Sequence, residues 1–158
     1  MKSRMLAMAI VSMTTVAALV ALRAQKAPGT RSVWDGVYNA AQAKRGGQVY
    51  AVSCQTCHGD ALQGDGTATA LTGPGFMADF NGVTLGEMLD RTRTTMPDDN
   101  PGTMSRQQIA DVLTYVLSVN KFPAGAAELP TQAEVLNQIT FLATKPTGQT
   151  QDRARRRP

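Results

Sequence analysis

Cys54-Gln55-Thr56-Cys57-His58 gathers into five residues the only two cysteines and the only histidine of this 158-residue chain. Two thiols three positions apart can add to the two vinyl groups of one haem. The imidazole directly after the second thiol is then held beneath the iron as an axial ligand. Other chemistries fit the pentad less well. An activated Cys-x-x-Cys redox pair belongs near a βαβ pattern, yet no parallel-strand pattern is present and Gln55 and Thr56 offer no cationic activation. Structural zinc takes four ligands; Cys54, Cys57 and His58 supply three, so a carboxylate would have to complete the set. A disulfide between such near neighbours closes too small a loop to stabilise much.

An iron with one protein ligand can bind gases or peroxide, whereas one with two mostly passes electrons. A second histidine does not exist in the chain, so a methionine thioether is the natural partner, and His/Met ligation raises the reduction potential. Beyond the N-terminal apolar run the candidates are Met77, Met88, Met96 and Met104. Most methionines pack in cores. Met88 lies on the apolar side of a helix, Met104 suits a hydrophobic staple, and Met77 follows Phe76 in a loop that could pack on the ring. Met96 instead stands between a helix end and the turn-rich stretch Pro97-Asp98-Asp99-Asn100-Pro101-Gly102. Pro97 removes a donor and fixes the chain direction, which suits a loop presenting sulfur inward. Met96 is the expected distal ligand.

The positioning elements follow from pattern. Residues 40–53 read as a helix of good formers with Val49, Tyr50 and Val52 on its inner side; Gly46 and Gly47 weaken it unless another backbone approaches closely. Residues 59–82 read as a loop, broken by Gly64, Gly66, Gly73, Pro74, Gly75 and Gly82, able to wrap a rigid cofactor but not to build a core. Thr84-Leu85-Gly86-Glu87 and Ser105-Arg106-Gln107-Gln108 have capping-box spacing. They open helices predicted over about 84–94 and 105–119, the second with Ile109, Val112, Leu113, Val116 and Leu117 at helical spacing. Asn120, Pro123 and Gly125 end it, and a weaker helix is expected from Gln132 to about Leu142. No internal repeat, heptad or β-hairpin signal stands out.

Lys2 and Arg4, the apolar run Leu6 to Leu22 and Ala24 read as an export signal over residues 1–24, or a retained N-terminal anchor. A linker over 25–33 follows, then a domain over 34–142 with an extension from about 121, and a basic disordered tail over 143–158. The net charge of +4 misleads. Between Ala27 and Pro146 eight basic residues face eleven acidic ones, leaving about −3. That balance argues against nucleic-acid binding. Localisation is expected to be periplasmic, with the membrane as a partner only if the N-terminal segment is retained.

Gly46, Tyr50, Cys54, Cys57 and His58, then Thr95-Met96-Pro97 and Asp111-Val112-Leu113-Thr114-Tyr115, resemble the first helix, haem motif, methionine loop and last helix of class I c-type cytochromes, over roughly residues 34–142. The resemblance implies an all-α fold with helices wrapped around one covalent haem c and the N- and C-terminal helices crossing, Gly46 and Tyr50 against Val112 and Tyr115. It also implies a proline carbonyl accepting from the proximal histidine, with Pro74 the nearest candidate. Trp34-Asp35-Gly36-Val37-Tyr38, Pro74-Gly75-Phe76 and Lys121-Phe122-Pro123-Ala124-Gly125 resemble bacterial monohaem cytochromes associated with periplasmic, often quinoprotein, dehydrogenases. Phe80 stands where such relatives commonly have Trp. The function implied is one-electron transfer from a dehydrogenase or quinol-oxidising complex to an acceptor such as a terminal oxidase, with no catalytic residues. A dedicated cytochrome subunit of a dehydrogenase complex, or an open-site haem sensor or peroxidase, are the alternatives.

Overall fold

The computed structural model describes residues 31–147. The export signal, most of the linker and the Arg-rich end lie outside the described residues. Six helices are present among them: α1 Ala40–Ser53, α2 Gln55–His58, α3 Gly73–Phe80, α4 Leu85–Thr95, α5 Arg106–Val119 and α6 Ala133–Leu136. Two short strands, β1 Arg31–Ser32 and β2 Ile139–Thr140, pair in parallel. This is the all-α class I cytochrome c fold. No helix among the described residues is long and apolar enough to cross a membrane.

α1 begins where Asn39 accepts from the Gln42 amide. It crosses α5, and the crossing depends on a missing side chain. A Cβ on Gly46 would overlap the carbonyl of Asp111, and Gly47 faces the ring of Tyr115. The Tyr50 and Tyr115 rings then meet 5.2 Å apart. Expected partners Tyr50 and Tyr115 are thus together, while the backbone of Asp111 rather than Val112 meets Gly46. Both predicted capping boxes form, Thr84 with Glu87 and Ser105 with Gln108. α5 ends in a Schellman motif: Lys121, at φ 66°, and Phe122 donate to the Ser118 and Leu117 carbonyls.

The polar side of the same crossing is an ion cluster. The Arg45 guanidinium meets both oxygens of buried Asp111, at 3.0 and 3.1 Å, and both of Glu128, at 2.7 and 3.0 Å. A buried carboxylate needs such a partner, and the planar fork of arginine supplies it in matched pairs. The Arg45 hydrogen bond holds the Glu128 carboxyl below its ordinary value of 4.5. Because the folded pKa is lowered, this group contributes stability above about pH 4.5 that is lost as pH falls through its folded value. Glu128→Gln is therefore expected to make unfolding stability decline less steeply between roughly pH 5 and 3 than in the wild type, a difference that denaturant titrations across that range measure.

Three expectations are corrected. The loop 59–82 contains α3. Pro74 and the glycines read as breakers, but Thr72 is the N-cap and Pro74 lies in the first turn, where a missing donor costs nothing. Phe76 then anchors the helix, with Phe80 at 4.9 Å and Phe141 at 5.5 Å. The weak helix over 132–142 is one turn, α6, followed by β2. Ile139 and Phe141 are fully buried on alternate positions, which is strand periodicity. Phe141 exchanges backbone bonds with Gly82 and Val83. Finally, Arg31–Val33 are not linker: Arg31 pairs with Ile139 and Ser32 with Thr140, and Val33 is fully buried.

The extension after α5 packs back across the domain. Gln42, buried within α1, donates to the Leu129 carbonyl and accepts from its amide, at 3.0 and 2.6 Å. Tyr38 donates to the Phe122 carbonyl and Trp34 to that of Leu142, at 2.7 and 2.9 Å. Gly36, at φ 63°, and Gly125 touch so closely that a Cβ on Gly125 would overlap the Gly36 carbonyl and one on Gly36 would press on the Gly125 backbone. The phrases Trp34–Tyr38 and Lys121–Gly125 are therefore two halves of one clasp.

Candidate haem-attachment site

α1 hands the chain to the site without a gap. Cys54 is the C-cap of α1 and the N-cap of α2, and its amide donates to Tyr50. The single turn α2 carries Cys57 and His58, with His58 donating its amide to the Cys54 carbonyl at 2.9 Å. Tyr50, immobilised at the helix crossing, donates its hydroxyl to the Gly59 carbonyl at 2.7 Å. Burial pushes its phenol up to about 12, so it remains a donor at neutral pH. The helix pair that builds the core thus also fixes the start and end of the pentad.

Neither cysteine is paired in a disulfide; Cys54 is half-buried and Cys57 exposed. Burial pushes the Cys54 thiol up to about 11, so it is protonated at neutral pH. An activated redox cysteine needs the opposite shift. Among the described residues no three of His, Cys, Asp and Glu converge to hold a metal ion, which leaves the zinc reading without a fourth-ligand set.

His58 is buried, and its Nδ1 lies 2.8 Å from the Thr69 carbonyl. With Nδ1–H donating there, Nε2 is the nitrogen free to coordinate, the arrangement that orients metal-bound histidines generally. Pro74, expected from the resemblance to be this acceptor, is instead in the first turn of α3. Thr69 was not legible because nothing in the types of residues 67–70 marks a carbonyl as an acceptor. Asp65-Gly66 is the signal that could have pointed to it, since Asp followed by Gly favours a turn closed by the side chain. Asp65 Oδ1 accepts from the Ala68 and Thr67 amides at 2.7 and 2.9 Å. Those two bonds hold its carboxyl below the ordinary value.

The four methionines separate by environment. Met88 and Met104 are buried members of the core, and Met77 packs against it. Met96 is half-buried, ends α4 in an extended conformation at φ −126° and ψ 149°, and precedes the turn closed by Asn100 on the Pro97 carbonyl. Apolar side chains around the wrapping segment, Leu71, Met77 and Phe80, are only partly covered. Two cysteines outside any disulfide, a buried imidazole with one committed nitrogen, and this partly covered apolar surface fit a haem.

Fold and site together fit a c-type cytochrome domain, and a domain of that kind holds covalently bound haem c with its iron. Residues 41–116, just under half of the chain, match the family model described as cytochrome C oxidase, cbb3-type, subunit III. The matched segment runs from the start of α1 through most of α5 and includes the pentad and Met96. No curated protein and no solved structure matches the chain.

Proposed function

We propose that the protein is an exported, six-coordinate His/Met cytochrome that carries single electrons, with Cys54 and Cys57 as the thioether attachments, His58 the proximal ligand and Met96 the distal one. The observation that carries this reading is the commitment of His58 Nδ1 to Thr69, which leaves Nε2 for iron beside the two thiols. Bound haem supplies the one-electron couple. The chain holds the imidazole in one tautomer, covers the ring with apolar side chains and reserves a thioether outside its core.

Donor and acceptor are redox proteins of the periplasm. The donor is a dehydrogenase, including the quinoprotein type, or a quinol-oxidising complex; the acceptor is a terminal oxidase. The family model's name, an oxidase subunit, supports the acceptor side of this assignment. A freely diffusing carrier is favoured over a dedicated subunit. The apolar residues of the extension, Phe122, Leu129, Leu136, Ile139 and Phe141, are already buried within the domain, so they need no partner to cover them.

The test is carbon monoxide added to the reduced protein. The wild type resists it, and Met96→Ala binds it at least about tenfold more tightly, a change of ~1.4 kcal/mol, with a lower reduction potential as the thioether is lost. Ready binding by the wild type would sink the electron-carrier reading in favour of an open-site sensor or peroxidase.

A further inference from the structure

A proline presents its carbonyl from a backbone whose φ is fixed by the ring. Thr69 has no such constraint, so the direction of the carbonyl facing His58 must be set by the residues around it. Gly64, at φ 71°, turns the chain so tightly that a Cβ there would overlap the Ala68 carbonyl. The Gly64 amide donates to the His58 carbonyl and the Leu71 amide to that of Leu62, both at 2.8 Å, so the loop is closed at its two ends. Within it, residues 65–69 have one internal brace: Asp65 Oδ1, which takes the Thr67 and Ala68 amides together. The brace ends one residue before the carbonyl that meets His58 Nδ1.

We propose that Asp65 is the positioning residue for the proximal ligand: its carboxylate fixes Thr67 and Ala68, this holds the Thr69 carbonyl on His58 Nδ1, and the resulting hydrogen bond sets how strongly Nε2 donates to iron. The inference rests on the reading of His58 as the iron ligand. A partner that accepts from the distal nitrogen of a metal-bound imidazole raises its basicity. A loosened Thr69 therefore makes His58 a weaker donor, stabilises ferric iron less and raises the reduction potential.

Two conservative variants of the full, haem-loaded protein separate position from charge. Asp65→Glu keeps the charge and moves the acceptor by one methylene. Asp65→Asn keeps an oxygen at the same place and removes the charge. Three quantities are measured on each: the midpoint potential, the exchange rate of the His58 Nδ1 proton by NMR on the reduced protein, and the thermal unfolding midpoint. Asp65→Glu is expected to raise the potential and speed exchange about tenfold, the scale of one weakened hydrogen bond, while Asp65→Asn exchanges its Nδ1 proton as the wild type does. Equal exchange in all three proteins, or faster exchange in Asp65→Asn than in Asp65→Glu, overturns the proposal. A change in unfolding midpoint without a change in potential or exchange does so too, since it leaves Asp65 only a turn-stabilising role. A wild-type spectrum without histidine-ligated haem removes the ligand assignment itself, and the proposal with it.

Discussion

Replacing Cys54 and Cys57 together with alanine is expected to give a chain that keeps no haem through denaturing chromatography and is largely unfolded in buffer. Between residues 59 and 72 only Leu62 is fully buried, and it sits there at φ 62°, a conformation that costs a non-glycine residue about 1–3 kcal/mol. Such a segment has little of its own to offset the entropy of ordering, roughly 1–2 kcal/mol of backbone per residue. On the proposed attachment, the haem provides the apolar mass against which it is ordered, and the thioethers keep that mass at the site at any protein concentration. Losing a ligand held at a thousandfold its Kd costs about 4 kcal/mol, against a typical domain stability of about 5–15 kcal/mol. Each single variant retains one thioether and is expected to fall between. Circular dichroism and haem retention after acid-organic extraction read the effect, and a double variant as helical and as heat-stable as the wild type would show that the fold does not need its cofactor.

The second large effect is expected at the helix crossing. In an open helix Gly→Ala stabilises by about 1 kcal/mol through propensity. At Gly46 the added methyl meets the Asp111 carbonyl, a backbone group within α5 that cannot rotate away. Separating the helices loosens the Tyr50–Tyr115 contact and the Arg45–Asp111 fork together. Overpacking of this kind costs about 1–3 kcal/mol and occasionally more, so Gly46→Ala is expected to destabilise despite the propensity gain, and Gly46→Val more strongly. Gly47→Ala is the control. Its methyl would meet only the Tyr115 ring, at 3.2 Å, and a ring can turn aside. It is expected to stay within about 1 kcal/mol of the wild type as propensity and crowding offset each other. Denaturant unfolding of the three holoproteins checks the order; equal midpoints for Gly46→Ala and Gly47→Ala would mean that the crossing has room to spare.

The parts of the molecule that were readable in the sequence are those governed by local rules. Thr84 with Glu87 and Ser105 with Gln108 are capping pairs within one turn, and both helices start where those residues place them. The helix over residues 40–53 has the bounds its composition suggests, and the glycine within it marks a close backbone approach. The parts that were not readable depend on distant partners. α3 carries Gly73, Pro74 and Gly75, and its packing against Phe141, some sixty residues away, outweighs their poor propensity. Gln42 looks like an exposed helix former, yet it is buried and acts as a rung for the backbone of Leu129. Ile139 to Phe141 is too short to signal a strand without β1 beside it.

The same division runs through the site. The pentad is contiguous, so the chemistry proposed for it is read from residue type and spacing alone. The acceptor on His58 is a backbone carbonyl, which carries no residue-type signal, and the expectation of Pro74 was accordingly wrong in favour of Thr69. The clasp between Trp34–Tyr38 and Lys121–Gly125 explains why both phrases stand out: each supplies an aromatic and a glycine to one contact, with the Trp34 and Phe122 rings 4.7 Å apart and Gly36 against Gly125.

The most direct test of the central claim is the intact mass and absorption spectrum of the full chain matured in a periplasm with haem-attachment machinery. The expected product carries the mass of one haem on the polypeptide, shows a low-spin spectrum in both oxidation states and keeps the haem through denaturation. A polypeptide of bare mass, soluble and folded without haem, would contradict the account of Cys54, Cys57 and His58 as the attachment site.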